Sequence, residues 1–138
     1  MEIQPAHQKP KRVKLATNLL WLALFIGPAK ILLDSSSIRV VGSPAFLAGA
    51  LALAFILIAF VIQSIANAKN WARYAFLAIF LVAFMLASRH ISEVFSRSPL
   101  IAFLSLVQLI LQAVALWFLF SPSGTAWFRE MKARAISR

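Results

Sequence analysis

Residues 43–68 read SPAFLAGALALAFILIAFVIQSIANA, and no charged residue occurs from Val40 to Ala68. A helix rises about 1.5 Å per residue, so some twenty residues of this kind cover the roughly 30 Å hydrocarbon core of a bilayer. The run is continuous rather than alternating, which fits poorly with barrel strands of about ten residues. Inside hydrocarbon the backbone must satisfy its own hydrogen bonds, and a helix does so within one segment. This stretch therefore predicts a membrane-spanning helix over 44–66.

Three further apolar runs flank it. The first span is expected over 15–33, although Gly27-Pro28 interrupts it and Lys30 lies inside it. The third is expected over 71–88. Its uncharged core, Tyr74–Ser88, is short, so Arg73 is expected to reach back to the headgroups with its guanidinium. The fourth is expected over 99–120, within an uncharged stretch from Ser98 to Phe128. The reading is an all-α integral membrane four-helix bundle: a basic tail over 1–14, a transmembrane domain over 15–128 and a basic tail over 129–138. A basic start followed by an apolar run also describes a signal peptide. Here no small-x-small site follows Leu19–Ile26 cleanly and three more apolar runs come later, so the first run is expected to stay as a span.

Composition agrees. The chain has 138 residues, 62% of them hydrophobic, with a mean hydropathy of +0.85; soluble domains are usually about 45–50% apolar. Lys and Arg number 14 against 4 Asp and Glu, a formal charge of +10. Such a charge on a soluble domain would suggest nucleic acid. These cations instead sit in short clusters between apolar runs, so no nucleic-acid partner is expected and the bilayer is the first partner. With no cysteine, disulfides, thiolate metal sites and cysteine nucleophiles are excluded. His7 and His90 stand far apart with no carboxylate cluster, so neither a metal nor a cofactor is expected.

Orientation follows from the cations. Lys9, Lys11, Arg12, Lys14, Lys69, Arg73, Arg129, Lys132, Arg134 and Arg138 fall on one side of the spans. Lys30, Arg39, Arg89 and Arg97 fall on the other. The richer side is expected in the cytoplasm, with both termini there and Asp34–Gly42 and Arg89–Arg97 as outside loops. Ser43-Pro44 and Ser98-Pro99 suit helix starts, because serine caps free amides and proline needs no donor in the first turn. Trp71 and Trp127 are expected to lie at the inner interface with Arg73 and Arg129 as anchors.

The two halves match in outline. Ser43-Pro44 leads to Trp71-Ala72-Arg73, and Ser98-Pro99 leads to Trp127-Phe128-Arg129. Two helical hairpins of one topology would result, with a repeat axis along the membrane normal. Duplication and convergence both account for the match.

Asn70-Trp71-Ala72-Arg73, Phe120-Ser121-Pro122 and Ala126-Trp127-Phe128-Arg129 resemble segments of a widespread group of small bacterial inner-membrane proteins with four spans and no assigned activity. The likeness covers most of the chain from the second span onward. It implies a bacterial source and a four-helix layout, and it brings no functional residues.

Polar groups within the spans are the candidates for function. Lys30 reads either as an outer-edge lysine snorkelling to the surface, with Asp34 at i+4, or as a cation lining a cavity. Pro28 offers no amide to the Leu24 carbonyl, so Gly27-Pro28 favours a kink, either repaired by a neighbour or opened as a site. Ser105, Gln108 and Gln112 share one face of the fourth span, as helix glue or as a polar path. Ala45, Ala48, Gly49, Ala52 and Ala59 nominate the second span as the most densely packed helix. His90 is expected as an exposed loop residue beside Arg89 and Glu93.

No catalytic set emerges, since only Asp34, His90 and Glu93 lie near the outer surface and their spacing matches no known arrangement. The chain is expected to be non-enzymatic, working through homo-oligomerisation or a membrane partner, immunity-type protection included. The soluble parts are short enough that any partner is expected to meet it in the membrane. The alternative is a small transporter or channel for an anion or a neutral solute, built on Lys30, the Gly27-Pro28 break and the glutamine face.

Overall fold

Serine followed by proline opens three of the five helices in the computed structural model, which describes residues 9–33 and 43–137. The helices are α1 (Lys11–Leu33), α2 (Pro44–Ala66), α3 (Asn70–Arg97), α4 (Pro99–Leu119) and α5 (Pro122–Ile136). At each Ser-Pro start the serine hydroxyl accepts a backbone amide three residues on. Phe46 N lies 3.3 Å from Ser43 Oγ, Ile101 N 3.5 Å from Ser98 Oγ and Gly124 N 3.3 Å from Ser121 Oγ. The first two caps fall where the sequence placed them; the third opens a helix that the reading of 129–138 as a mere tail overlooked.

Helices α1 to α4 are each long and apolar enough to cross a membrane, so the chain is a multi-pass membrane protein with an all-α bundle fold. They form a ring. Neighbours in sequence are neighbours in space, and α4 closes on α1, the most extensive of the pairings. Lys9 donates to Ala66 O at 3.2 Å, and Lys30 to Ser105 Oγ at 3.1 Å. The start of α1 thus lies by the end of α2, and the end of α1 by the start of α4, so both pairs run antiparallel.

The α2–α3 connection is a Schellman turn. Ala68 N donates to Ile65 O and Lys69 N to Ser64 O, each at 3.0 Å. Ala68 takes the left-handed conformation, φ 61°, that glycine usually fills there.

Tight packing is confined to one end of the bundle, here called the terminal end. It holds the start of α1, the α2–α3 turn and the α4–α5 corner. Val13, Ala16 and Leu20 of α1 are fully buried with Ile62 and Ile65 of α2, Ala72 of α3, Ala115 and Leu119 of α4, and Phe128 of α5. Gly124 lets α5 fold back there: a Cβ on it would lie 2.7 Å from Leu119 O and 2.8 Å from Phe118 O.

The opposite, distal end is open, which corrects the expectation for the second span. Ala45, Ala48, Gly49 and Ala52 of α2 are exposed, and a Cβ on Gly49 would meet nothing within 4 Å. The most buried span is α1, through its face toward α4. Residues 89–97, expected as a loop, continue α3 as helix up to Ser98. Helix α1 runs through Pro28 without interruption. Asp34 and Arg39, in the expected first outside loop, lie outside the described residues, as does His7.

Candidate functional site

At the distal end α1, α2 and α4 leave a cleft of about 460 Å³. Gly27, Pro28 and Lys30 line it from α1, Leu51 and Phe55 from α2, and Ile101 and Gln108 from α4. Each element contributes for a local reason. Gly27 presents no side chain, and a Cβ there would meet nothing within 4 Å. Pro28 withholds an amide from the Leu24 carbonyl on the same wall. Lys30 turns inward, and its ammonium donates to Ser105 Oγ across the α1–α4 seam.

Residues singled out from sequence thus fall together: Gly27, Pro28, Lys30 and Gln108 line the cleft, and Ser105 reaches the Lys30 ammonium from α4. Gln112, one turn further along α4, is half-buried and does not line the cleft. Sequence reading missed the apolar walls, Leu51, Phe55 and Ile101, because nothing in an apolar span distinguishes a cleft-lining leucine from a lipid-facing one. Pro28, Leu51 and Ala54 are exposed as well as lining, so the cleft is open at the depth of the spans.

A second constellation lies at the terminal end. Arg73 is only 5% exposed and does not reach out to headgroups, contrary to the expected anchor. Its guanidinium lies 5.0 Å from the Tyr74 ring centre, 5.1 Å from Phe128 and 5.2 Å from Phe120. It donates to Thr125 Oγ1 and to the Tyr74 hydroxyl, each at 3.3 Å. The group fastens α5 to the start of α3. Trp71 is half exposed, and Arg129, the counterpart of Arg73 in the repeat pattern, is exposed where Arg73 is buried. The two matched anchor motifs therefore occupy different surroundings.

Lys9 also belongs to this end. Its ammonium lies on the Ala66 carbonyl, at the negative end of α2, and 5.9 Å from the Trp127 ring centre. Burial, and then the charge of Lys14, lower its pKa below the usual lysine value.

The distal half of α3 is the third feature. Every residue from Leu81 to Glu93 is exposed. His90 is exposed as expected, but on a helix, with its Nδ1 3.3 Å from Glu93 Oε2. Among the described residues no third metal-ligand side chain joins this pair. Counting back from the junction at Ser98, Arg89 lies about 13 Å along α3 and Ser105 about 10 Å along α4. Charged turns of α3 therefore stand level with the apolar, exposed turns of α4 around Phe103 and Leu106.

Fold and site together define a class, the small multi-pass helical membrane protein with a mainly apolar, lysine-bearing cleft between its spans. Compared with known protein families, with curated proteins and with solved structures, the chain matches none.

Proposed function

We propose that the chain is a non-enzymatic helix bundle of a bacterial inner membrane that acts by associating, through the distal half of α3, with a second copy or with another membrane protein. The observation that carries this reading is the exposure of α3 on all sides from Leu81 to Glu93, with Arg89, His90 and Glu93 at the height of apolar turns of α4. A cation at the middle of a span costs roughly 2.5–3.5 kcal/mol on insertion scales, and less toward the edge. A packed neighbour that offers polar groups removes that cost. Immunity-type shielding of a host from a membrane-acting toxin is one form such association takes. The motif resemblance to small four-span bacterial proteins supports the source. The clustering of cations at the terminal end supports cytoplasmic termini.

The test exploits a chain without cysteine. Ser92→Cys on α3 and Phe103→Cys on α4 are oxidised in native membranes. A cross-linked species from Ser92→Cys, absent from Phe103→Cys, is expected; its mass distinguishes a second copy from another protein. A monomer band alone at position 92 counts against association through α3.

A second reading, passage of an anion or neutral solute, draws on the cleft lined by Lys30 and Gln108, with Ser105 bonded to Lys30.

A further inference from the structure

The distal cleft combines two properties that rarely meet. Its walls are apolar, yet Lys30 lines it with the Ser105 hydroxyl 3.1 Å from its ammonium and the Gln108 amide on the same wall. A volume of about 460 Å³ lies within the roughly 300–1,000 Å³ of small-ligand clefts. Burying apolar walls around a lysine is unfavourable unless something satisfies the cation, and one hydroxyl leaves two of its three donors over. Among the described residues no carboxylate forms an ion pair with Lys30. Pro28, Leu51 and Ala54 line the cleft and are exposed, so it is open at the depth of the spans.

From this juxtaposition we infer that the cleft is a binding site for an anionic amphiphile, its charged head held by Lys30 with Ser105 and Gln108, and its chain lying against Leu51, Phe55 and Ile101. Head chemistry follows from the donors: an ammonium, a hydroxyl and an amide suit phosphate or carboxylate oxygens. A chain follows from the apolar walls and from an opening at the depth of the spans, where bilayer components are at hand. A free inorganic anion would leave the apolar walls unfilled. The inference concerns α1, α2 and α4 and is independent of association through α3.

Purified full-length protein in dodecyl maltoside is titrated with dodecyl phosphate, and bound ligand is counted by native mass spectrometry. Saturable binding of one ligand per chain is expected. Lys30→Gln should weaken it about tenfold or more, the loss of one charge-assisted contact. Ala54→Phe, which narrows the mouth and leaves Lys30 in place, should weaken it comparably. Lys132→Gln, on α5, should not. Inorganic phosphate and dodecyl trimethylammonium should show no saturable binding. Thermal unfolding of each variant establishes that it is folded; if Lys30→Gln is not, Ala54→Phe decides. Binding unchanged in Ala54→Phe, or in folded Lys30→Gln, overturns the proposal. So does inorganic phosphate binding as tightly as dodecyl phosphate, which would instead mark a solute path.

Discussion

Arg73 carries the clearest single-residue consequence. Three aromatic rings and two hydroxyls surround its guanidinium, while its Nε has no hydrogen-bond partner among the described residues. A cation over an aromatic face contributes about 0.5–2 kcal/mol, and a hydrogen bond from a charged donor about 1.5–3 kcal/mol. These contacts overlap and do not add in full. Arg73→Ala is expected to lower stability by about 2–4 kcal/mol, with the loss concentrated where α5 meets α3. Arg73→Lys should recover less than half, because an ammonium cannot stack as a planar fork does. Thermal unfolding in detergent gives the size. Limited trypsin cleavage at Arg129 and Lys132 gives the place, and unchanged cleavage in Arg73→Ala would contradict the clamp. From sequence, Arg73 is visible as a charge at a span edge, but its buried surroundings are not. Snorkelling to headgroups is the default for such a residue. The default fails because α5 returns over the end of α3 and brings Phe128 and Thr125 to it, and no local pattern announces that return. Lys30, Ser105 and Gln108 were legible as individuals for the opposite reason: polar side chains stand out in apolar runs. Their meeting depended on α1 lying beside α4, which periodicity does not specify.

Among the elements, α5 is the one that spacing concealed and chemistry could have disclosed. Ser121-Pro122 repeats the start signal of α2 and α4, and the hydroxyl of Ser121 caps Gly124 N as Ser43 and Ser98 cap theirs. The basic residues beyond it mask the signal, because topology alone accounts for them. Span lengths were legible because hydrocarbon thickness sets them; the nine residues of α3 beyond Ser88 were not, since a polar stretch between two spans reads equally as loop or as helix. The corner before α5 turns on Gly124. A methyl there meets two backbone carbonyls of α4 at 2.7–2.8 Å, and neither belongs to a flexible side chain. Gly124→Ala is therefore expected to cost about 1–3 kcal/mol, as overpacking does, and to shift the emission of Trp127 as α5 tilts away. Gly49→Ala adds a methyl in open space and should leave stability unchanged or raise it by about 0.5–1 kcal/mol, the usual gain for replacing a helical glycine. Equal unfolding temperatures for the two variants would show that the α4–α5 corner has no need of a bare backbone.

At the scale of the whole molecule the two ends of the bundle differ in both packing and charge. The terminal end is closed by a core drawn from all five helices and rimmed by Lys11, Arg12, Lys14, Lys69, Arg129 and Lys132, all exposed. The distal end is open and, among the described residues, carries Lys30, Arg89 and Arg97. Four spans return the chain to its starting face, so both termini share a side whichever side that is. The proposed cytoplasmic side rests on the cation imbalance, because Lys and Arg near span ends resist translocation. Single cysteines that alter no charge test this: Asn67→Cys at the α2–α3 turn, Ser137→Cys after α5, and Ser96→Cys near the end of α3. With a membrane-impermeant maleimide on intact cells, Ser96→Cys alone should be labelled, and all three after lysis. The reverse pattern would turn the molecule over and place the Lys30 cleft in the inner leaflet. Labelling of Asn67→Cys and Ser137→Cys from opposite faces would break the parity of four spans itself. The cleft and the exposed half of α3 lie at the same end, so this one measurement also fixes which leaflet supplies an amphiphile and from which side an aqueous factor reaches the charged turns of α3.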